Sequence, residues 1–422
     1  LIVGGGGREH ALLDVLLRSP SKPEVIVAPG NAGIARTTAT IDIPVTDVPR
    51  LVDAAVAMKA DLVIVGPEAP LVLGLADALR QKGILVLGPS RAAAMLEGSK
   101  AFAKAVMDEG EVPTARWGTF KDPDRAIAFA RELEGRVVVK ADGLAAGKGV
   151  VVADDLADAE RAIASILSGA HGEAGSSIVV EEKLEGEELS VIALTDGDRV
   201  AALAPAQDHK RIYDGDRGPN TGGMGAYSPA PKGTPSLVRE VEVRCIEPII
   251  RVMQARGTPF SGIIYAGIML TKDGPKVLEY NVRFGDPEAE AILARLDEDA
   301  YLLFRSVAEG QLPDRPIRFS PRAAVTVVIA AEGYPGEPRK GDRIEGLDVA
   351  GKMTDVIVEH AGTRLQNGEI VTNGGRVLDV TALGDDLLSA AELAYRAVSA
   401  IRFRGMQYRR DIAHRAIGRA VG

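Results

Sequence analysis

The sequence predicts a multidomain protein of mixed α/β and α+β class, on three observations. The chain has 422 residues, 46% of them hydrophobic, too long for one ordinary core and too apolar for disorder, so two to four domains are expected. Its N-terminal part alternates apolar strand-like runs with helical ones, the pattern of a parallel sheet covered by helices. Further along, short strands follow one another with helices set apart, as in α+β lobes.

In chain order, Leu1 to Val3, Glu24 to Ala28, Asp61 to Val65 and Ile84 to Leu87 read as strands, with a helix over Glu9 to Arg18. Between Trp117 and Thr195, strands Arg136 to Ala141, Gly149 to Ala153 and Ser177 to Glu182 surround helical Pro123 to Glu134 and Leu156 to Leu167, giving a small α+β lobe with Trp117 in its strand core. Ala206 to Pro231 is rich in Gly, Pro, Asp and Asn without periodicity, and loops this long are usually functional or disordered. Two apolar strands come next, Gly262 to Thr271 and Lys276 to Phe284. A last unit, from about Ile317, offers strands Ala323 to Ala331, Asp355 to Glu359 and Arg376 to Ala382, then a helix from Ala390 to Ile401.

A formal net charge of −9 argues against nucleic acid or an anionic membrane as the main partner, so any phosphate ligand must be held locally. The one cysteine, Cys245, rules out an intramolecular disulfide framework and a multi-cysteine zinc site, and fits a reducing cytoplasm. Its helical neighbours Val241, Ile246, Ile249 and Ile250 make it a core thiol. No apolar run approaches the ~20 residues of a membrane helix, so a soluble cytoplasmic protein with no membrane partner is expected. Because residue 1 is Leu, inside a strand, a few native residues are expected to be missing ahead of it. His171 and His414 have no readable partners, and Arg396, Arg402, Arg404, Arg409, Arg410, Arg415 and Arg419 read mostly as a solvated face.

Gly4 to Gly7 follow a strand and open a helix, where backbone N–H groups hold a phosphate or simply make a tight turn. A dinucleotide fingerprint would need a third glycine where Glu9 or His10 stands, so NAD is disfavoured. Gly143 to Gly149 has three glycines and Lys148 between two strands, so it caps a hairpin able to close over a triphosphate, with Lys140 on the preceding strand. Glu181 to Leu184, followed by Glu188, reads either as an adenosine-binding hinge or as an acidic turn. In Glu279 to Arg283, a period of two sets Glu279, Asn281 and Arg283 against apolar Tyr280, Val282 and Phe284. Carboxylate and amide oxygens suit Mg²⁺, and the guanidinium suits a phosphoryl group.

Together with Val65 to Leu71, Leu96 to Lys100, Gln207 to Pro229, Glu279 to Pro287 and Val371 to Val377, these stretches resemble the glycinamide ribonucleotide synthetases of the ATP-grasp superfamily, along essentially the whole chain. Gln207 to Pro229 is the most specific part. Two departures stand out: Ala206 replaces a usual Ser, and Ala289-Glu290 replaces Thr-Gln. The resemblance implies an ATP-grasp fold: a Rossmann-like N-terminal parallel-sheet domain over 1–98, a catalytic domain over 99–317 with its lid at about 115–187, and a small α+β domain over 318–422.

It also implies ATP and Mg²⁺ (or Mn²⁺) as cofactors, glycine and 5-phosphoribosylamine as substrates, a glycyl phosphate intermediate, and a monomer or weak homodimer. ATP falls to Lys100, Lys140, Gly147, Lys148, Gly149, Glu181, Glu182, Leu184 and Glu188, and metal to Glu279 and Asn281. Arg283, Lys140, Asp208 and Asp214 are the implied catalytic residues. Substrate contacts are implied for Gly6, Gly7, Arg8, Glu9, Asn31, Glu68, Lys210, Asn220, Gly222, Gly223, Met224 and Asp286. The rivals are another ATP-grasp ligase or carboxylase, against which the absence of an acid in Gly262 to Leu270 counts, and a non-catalytic nucleotide-binding regulator.

Overall fold

The computed structural model describes residues 1–144, 149–170 and 175–418. Five parallel strands open the chain, in the order Ala39–Thr40, Ile26–Pro29, Ile2–Gly4, Leu62–Val65 and Leu85–Leu87. Every residue of Leu62–Val65 is buried, which is why this strand reads as a continuous apolar run and not as an alternation. The chain winds to one side of Ile2–Gly4 and then returns to pair Leu62–Val65 on its other side. Such a reversal leaves a crevice at the C-terminal ends of those two strands. The first helix, Gly7–Leu17, starts two residues earlier than its sequence pattern suggests.

The α+β lobe is an antiparallel sheet in the order Trp117–Phe120, Ile178–Glu182, Val137–Ala141 and Val150–Val152. Helices Pro123–Glu132 and Leu156–Ser165 close a small core around Val137, Val139, Ile163, Ile178 and Val180. Trp117 corrects its expected place: its strand is at the sheet's edge, so the indole is half-buried and its N–H donates to Asp108 at 3.1 Å.

The central antiparallel sheet runs Val200–Ala202, Glu187–Thr195, Gly262–Thr271 and Gly274–Asn281. The last strand starts two residues earlier and ends three residues earlier than expected and carries a bulge: Gly267 faces Glu279, but Ile268 faces Val277, leaving Leu278 as the extra residue. A bulge resets the alternation. Val277, Tyr280 and Val282 therefore share one buried side although their spacing breaks period two.

The segment 206–231 is corrected most. Instead of an unpaired loop it holds four short strands, and two of them, Gln207–Asp208 and Gly225–Ser228, extend the C-terminal sheet through Ala323–Ala330, Arg376–Gly384 and Val356–His360. Strands of two to four residues recruited by distant partners leave no local period to read. All of Ala323–Ala330 is buried, with helices Leu387–Ala400 and Glu288–Ala294 packed on it. A hairpin, Thr363–Gln366 with Glu369–Thr372, was not expected.

Cys245 is a core thiol, and burial pushes it up to about 12. His414 does have a partner, its Nδ1–H donating to the Asp411 carbonyl at 2.7 Å, whereas His171 and Arg419 lie outside the described residues. Of the terminal arginines, Arg396, Arg402, Arg404, Arg410 and Arg415 are exposed. Arg409 is the correction: it is fully buried, paired with Asp411 at 2.7 Å and Asp216 at 2.8 Å, because segment 206–231 folds over it. Removing one partner of a buried pair leaves the other uncompensated, so Arg409→Met is expected to cost roughly 3 kcal/mol. Urea unfolding of both chains measures this, and an unchanged midpoint refutes it.

Candidate functional site

A cleft of about 670 Å³ lies between the lobe, the central sheet and the C-terminal ends of the N-terminal strands. At its lobe end, Lys140 donates to the Leu278 carbonyl at 3.0 Å and pairs with Glu181. Strand pairing arranges this: Glu181 faces Val138, and Lys140 is the next residue on that face, a diagonal neighbour. Lys104 pairs with the same carboxylate at 2.5 Å and donates to Thr114 at 2.7 Å. Burial would raise the Glu181 carboxyl, but Lys140 and Lys104 hold it below the ordinary glutamate value. Sequence reasoning missed Lys104. The available signal was its spacing, one helical turn beyond Lys100 on Lys100–Glu109.

Lys100 donates to the Gly143 carbonyl at 3.0 Å, reaching the root of the glycine hairpin. Gly149, Glu182, Leu184 and Glu188 also line the cleft, with Glu188 paired to Lys210 at 3.0 Å. The expected nucleotide residues Gly147 and Lys148 lie outside the described residues.

In the middle of the cleft, Glu279 makes no hydrogen bond or ion pair with any described residue. Burial raises its carboxyl, but Lys210, Lys140, Lys100 and Arg283 outweigh that and hold it low, so it stays ionised. Asn281 points its amide oxygen towards Arg283, at 3.5 Å. A free carboxylate and an amide oxygen on one strand face are hard donors that fit a divalent cation. Nearby, burial pushes the Asp208 carboxyl up to about 8, with Lys210 opposing and Glu288 and Glu188 adding to the rise. Glu288 accepts from Tyr265 at 2.8 Å and Ser190 at 3.1 Å, a network for which the sequence carried no local signal.

At the other end, Arg283 reaches Glu97 at 2.7 Å and Glu68 at 3.3 Å. The second Glu97 oxygen accepts from the Val282 N–H at 2.8 Å. Arg8 donates to the Phe284 carbonyl at 3.1 Å and pairs with Glu9 at 2.6 Å. Asn220, Gly222 and Asp286 line the cleft beside Arg376, which donates to the carbonyls of Gly222 at 2.9 Å and Asp286 at 2.7 Å.

Other expected contacts are not on the cleft wall. Glu9 turns back to accept from the Gly6 N–H at 2.6 Å, capping its own helix, and a Cβ at Gly66 would lie 1.9 Å from its Oε1. Asn31 braces the turn by donating to the carbonyls of Gly5 at 3.0 Å and His360 at 2.5 Å. Gly6 and Gly7 sit behind them at the helix start. Gly223 has φ 125° and abuts Pro287, while Met224 is in a small core with Ile212 and Ala330. Asp214 lies apart, accepting from the Arg410 N–H at 2.8 Å. Local motif membership did not separate residues that shape the wall from residues that form it.

Three family models match successive stretches of the chain: phosphoribosylglycinamide synthetase N domain over 1–97, ATP-grasp (A) domain over 98–289 and C domain over 324–415. The phosphoribosylamine-glycine ligase of Vibrio vulnificus is 49% identical over 99% of this chain and 98% of its own length. The trifunctional purine biosynthetic protein adenosine-3 of Gallus gallus is 48% identical over 99% of this chain and 42% of its own length. The crystal structure of phosphoribosylamine-glycine ligase from Thermotoga maritima superposes with a TM-score of 0.85 at 32% identity, covering 98% of this chain and 99% of that one.

The Asp208 carboxyl generates a pH test. With a folded value of about 8 against an ordinary 3.8, the folded chain binds the extra proton between those limits, so this group's stabilising contribution falls as pH rises through them. The melting temperature of Asp208→Asn minus that of the unaltered chain should therefore climb from about pH 5 to about pH 8 and level off above it. A flat or falling difference contradicts the assignment.

Proposed function

The chain belongs to the phosphoribosylglycinamide synthetase family, and from that premise we infer that it ligates glycine to 5-phosphoribosylamine, giving glycinamide ribonucleotide, ADP and phosphate. It is an ATP-grasp ligase, and the reaction is a step of purine biosynthesis, as the name of the Gallus gallus relative indicates for that protein. The observation that carries the reading is Glu279: an ionised carboxylate without a partner among the described residues, ringed by three lysines and an arginine, in a cleft that continues to the N-terminal crevice.

ATP lies between lobe and central sheet, its adenosine against Glu181, Glu182, Leu184 and Glu188 and its phosphates beside Lys100, Lys140 and Gly149, with Gly147 and Lys148, outside the described residues, assigned to the same phosphates from the sequence. Glu279 and Asn281 would hold Mg²⁺ or Mn²⁺, which when bound offsets phosphate charge. The glycine carboxylate attacks the γ-phosphorus and ADP leaves. Arg283 stabilises charge on the moving phosphoryl group, for which it must loosen from Glu68 or Glu97. The phosphoribosylamine nitrogen then attacks the glycyl phosphate carbonyl, phosphate departs and the nitrogen loses a proton.

The phosphoribosyl group occupies the crevice beside Arg8 and Glu68, with the Gly6 and Gly7 turn behind it. Lys210, Asn220, Gly222 and Asp286 bound the space for the acyl centre, with Asp208 between Lys210 and Glu288. The domain limits 1–98, 99–317 and 318–422, a lid at 115–187, a cytoplasmic location and a monomer or weak homodimer belong to the same reading.

Two measurements test it. Glycine labelled with ¹⁸O in its carboxylate should pass label to the released phosphate; unlabelled phosphate rejects the acyl-phosphate route. Glu279→Gln removes charge from a hard-cation site, so its Mg²⁺ requirement should rise and excess metal should partly restore the rate. Arg283→Lys keeps charge but loses the planar fork, and should lower kcat and kcat/KM together, on the order of 10²-fold, without metal rescue. Equal metal dependence in the two variants at unchanged melting temperature overturns these roles.

A further inference from the structure

Behind Asp286, two carboxyl groups are buried without partners among the described residues. Glu290 on helix Glu288–Ala294 and Asp379 on strand Arg376–Gly384 are both 0% exposed, and none of their four carboxylate oxygens has a hydrogen-bond partner. One oxygen from each, and one from Asp286, all lie within 4.8 Å of one another. Asp286 opens the cluster to the cleft and is itself paired with Arg376 at 3.1 Å. Gly7 closes the opposite side: a Cβ there would lie 1.8 Å from Asp379 Oδ2 and 2.7 Å from Glu290 Oε1. Only a glycine leaves this space.

Isolated carboxylates in a dry interior are strongly disfavoured, so the pair must be neutralised by protons or by a cation. No lysine, arginine or histidine forms an ion pair with Glu290 or Asp379 among the described residues. Arg376 pairs with Asp286 and also faces Asp379, while buried Glu359 and Asp286 oppose ionisation of the pair, so the cluster is rich in acids and short of cations, a setting that suits one divalent ion. Separations of no more than 4.8 Å allow one ion to touch all three carboxylates. Oxygens on opposite sides of Mg²⁺ stand about 4.2 Å apart, and on opposite sides of Ca²⁺ about 4.8 Å.

We propose that Asp286, Glu290 and Asp379 bind one divalent cation of the hard, oxygen-preferring class, at a site separate from Glu279 and Asn281. The cation joins three parts of the chain: the loop after the central sheet, the helix following it and the C-terminal sheet, directly under the start of the first helix. Its entry is through Asp286, from the cleft, and it displaces protons held by the buried pair, so uptake strengthens as pH rises.

The test uses the full chain without nucleotide, titrated with Mn²⁺ and followed by the loss of the free-ion paramagnetic resonance signal. One Mn²⁺ should bind per chain, equally in Glu279→Gln, with proton release and a rise in melting temperature. Glu290→Gln, which keeps the size and shape of the side chain and removes its charge, should weaken binding on the order of 10-fold or more and abolish the thermal gain. Asp379→Asn should do the same. The proposal is overturned if no Mn²⁺ binds without nucleotide, if Glu279→Gln abolishes binding, or if Glu290→Gln leaves affinity unchanged. A chain that takes up no Mn²⁺ but is stabilised by Glu290→Gln at pH 8 has a proton-sharing pair instead, which also overturns it.

Discussion

A guanidinium withdrawn from water has to be matched by carboxylates, and Arg283 is matched by two that come from another part of the chain. Glu97 and Glu68 both belong to the N-terminal unit, while Arg283 follows the last strand of the central sheet. Glu97 adds a second bond, to the Val282 N–H, so one carboxylate fixes both the side chain and the backbone beside it. Burial opposes the charge on Arg283, yet Glu97 and Glu68 hold its pKa above the ordinary value. Losing either acid would leave a charge stranded in a poorly solvated place. The crevice of the parallel sheet is thereby aligned with the cleft of the antiparallel one.

The remaining charges of the cleft follow the same logic. Glu181 serves two lysines and Glu188 serves Lys210. Each pairing holds a cation in position at the cleft wall and offsets the cost of withdrawing it from water. Glu279 is the exception, held ionised but without an ion-pair partner among the described residues.

What could be read from the sequence was what obeys a local rule. Alternation of strand and helix gave the parallel sheet, and period two grouped Glu279, Asn281 and Arg283 correctly. That grouping survives because all three follow the bulge at Leu278; Val277, just before it, sits on the side that simple alternation denies it. Glu97, Lys104 and Glu288 were missed because their importance lies in partners up to 186 residues away. Glu9 and Asn31 belong to the right motif but spend their polar atoms within the fold, Glu9 on the Gly6 N–H and Arg8, Asn31 on the backbone of its own turn and of His360. Arg409 reads as one more surface arginine until segment 206–231 closes over it.

That segment has a consequence for how such a chain can be cut and recombined. Gly225–Ser228 hydrogen-bonds along Ala323–Ala330, the most thoroughly buried strand of the C-terminal sheet. A fragment beginning near residue 318 would present the bare edge of an eight-residue apolar strand, the template on which chains aggregate edge to edge. Pieces exchanged between relatives, in a chimera or in the history of a gene fusion, therefore remain foldable when 207–228 and the C-terminal sheet travel together. The joint that is inherited as a unit spans the middle and the end of the chain, and it is invisible to a cut made by position alone.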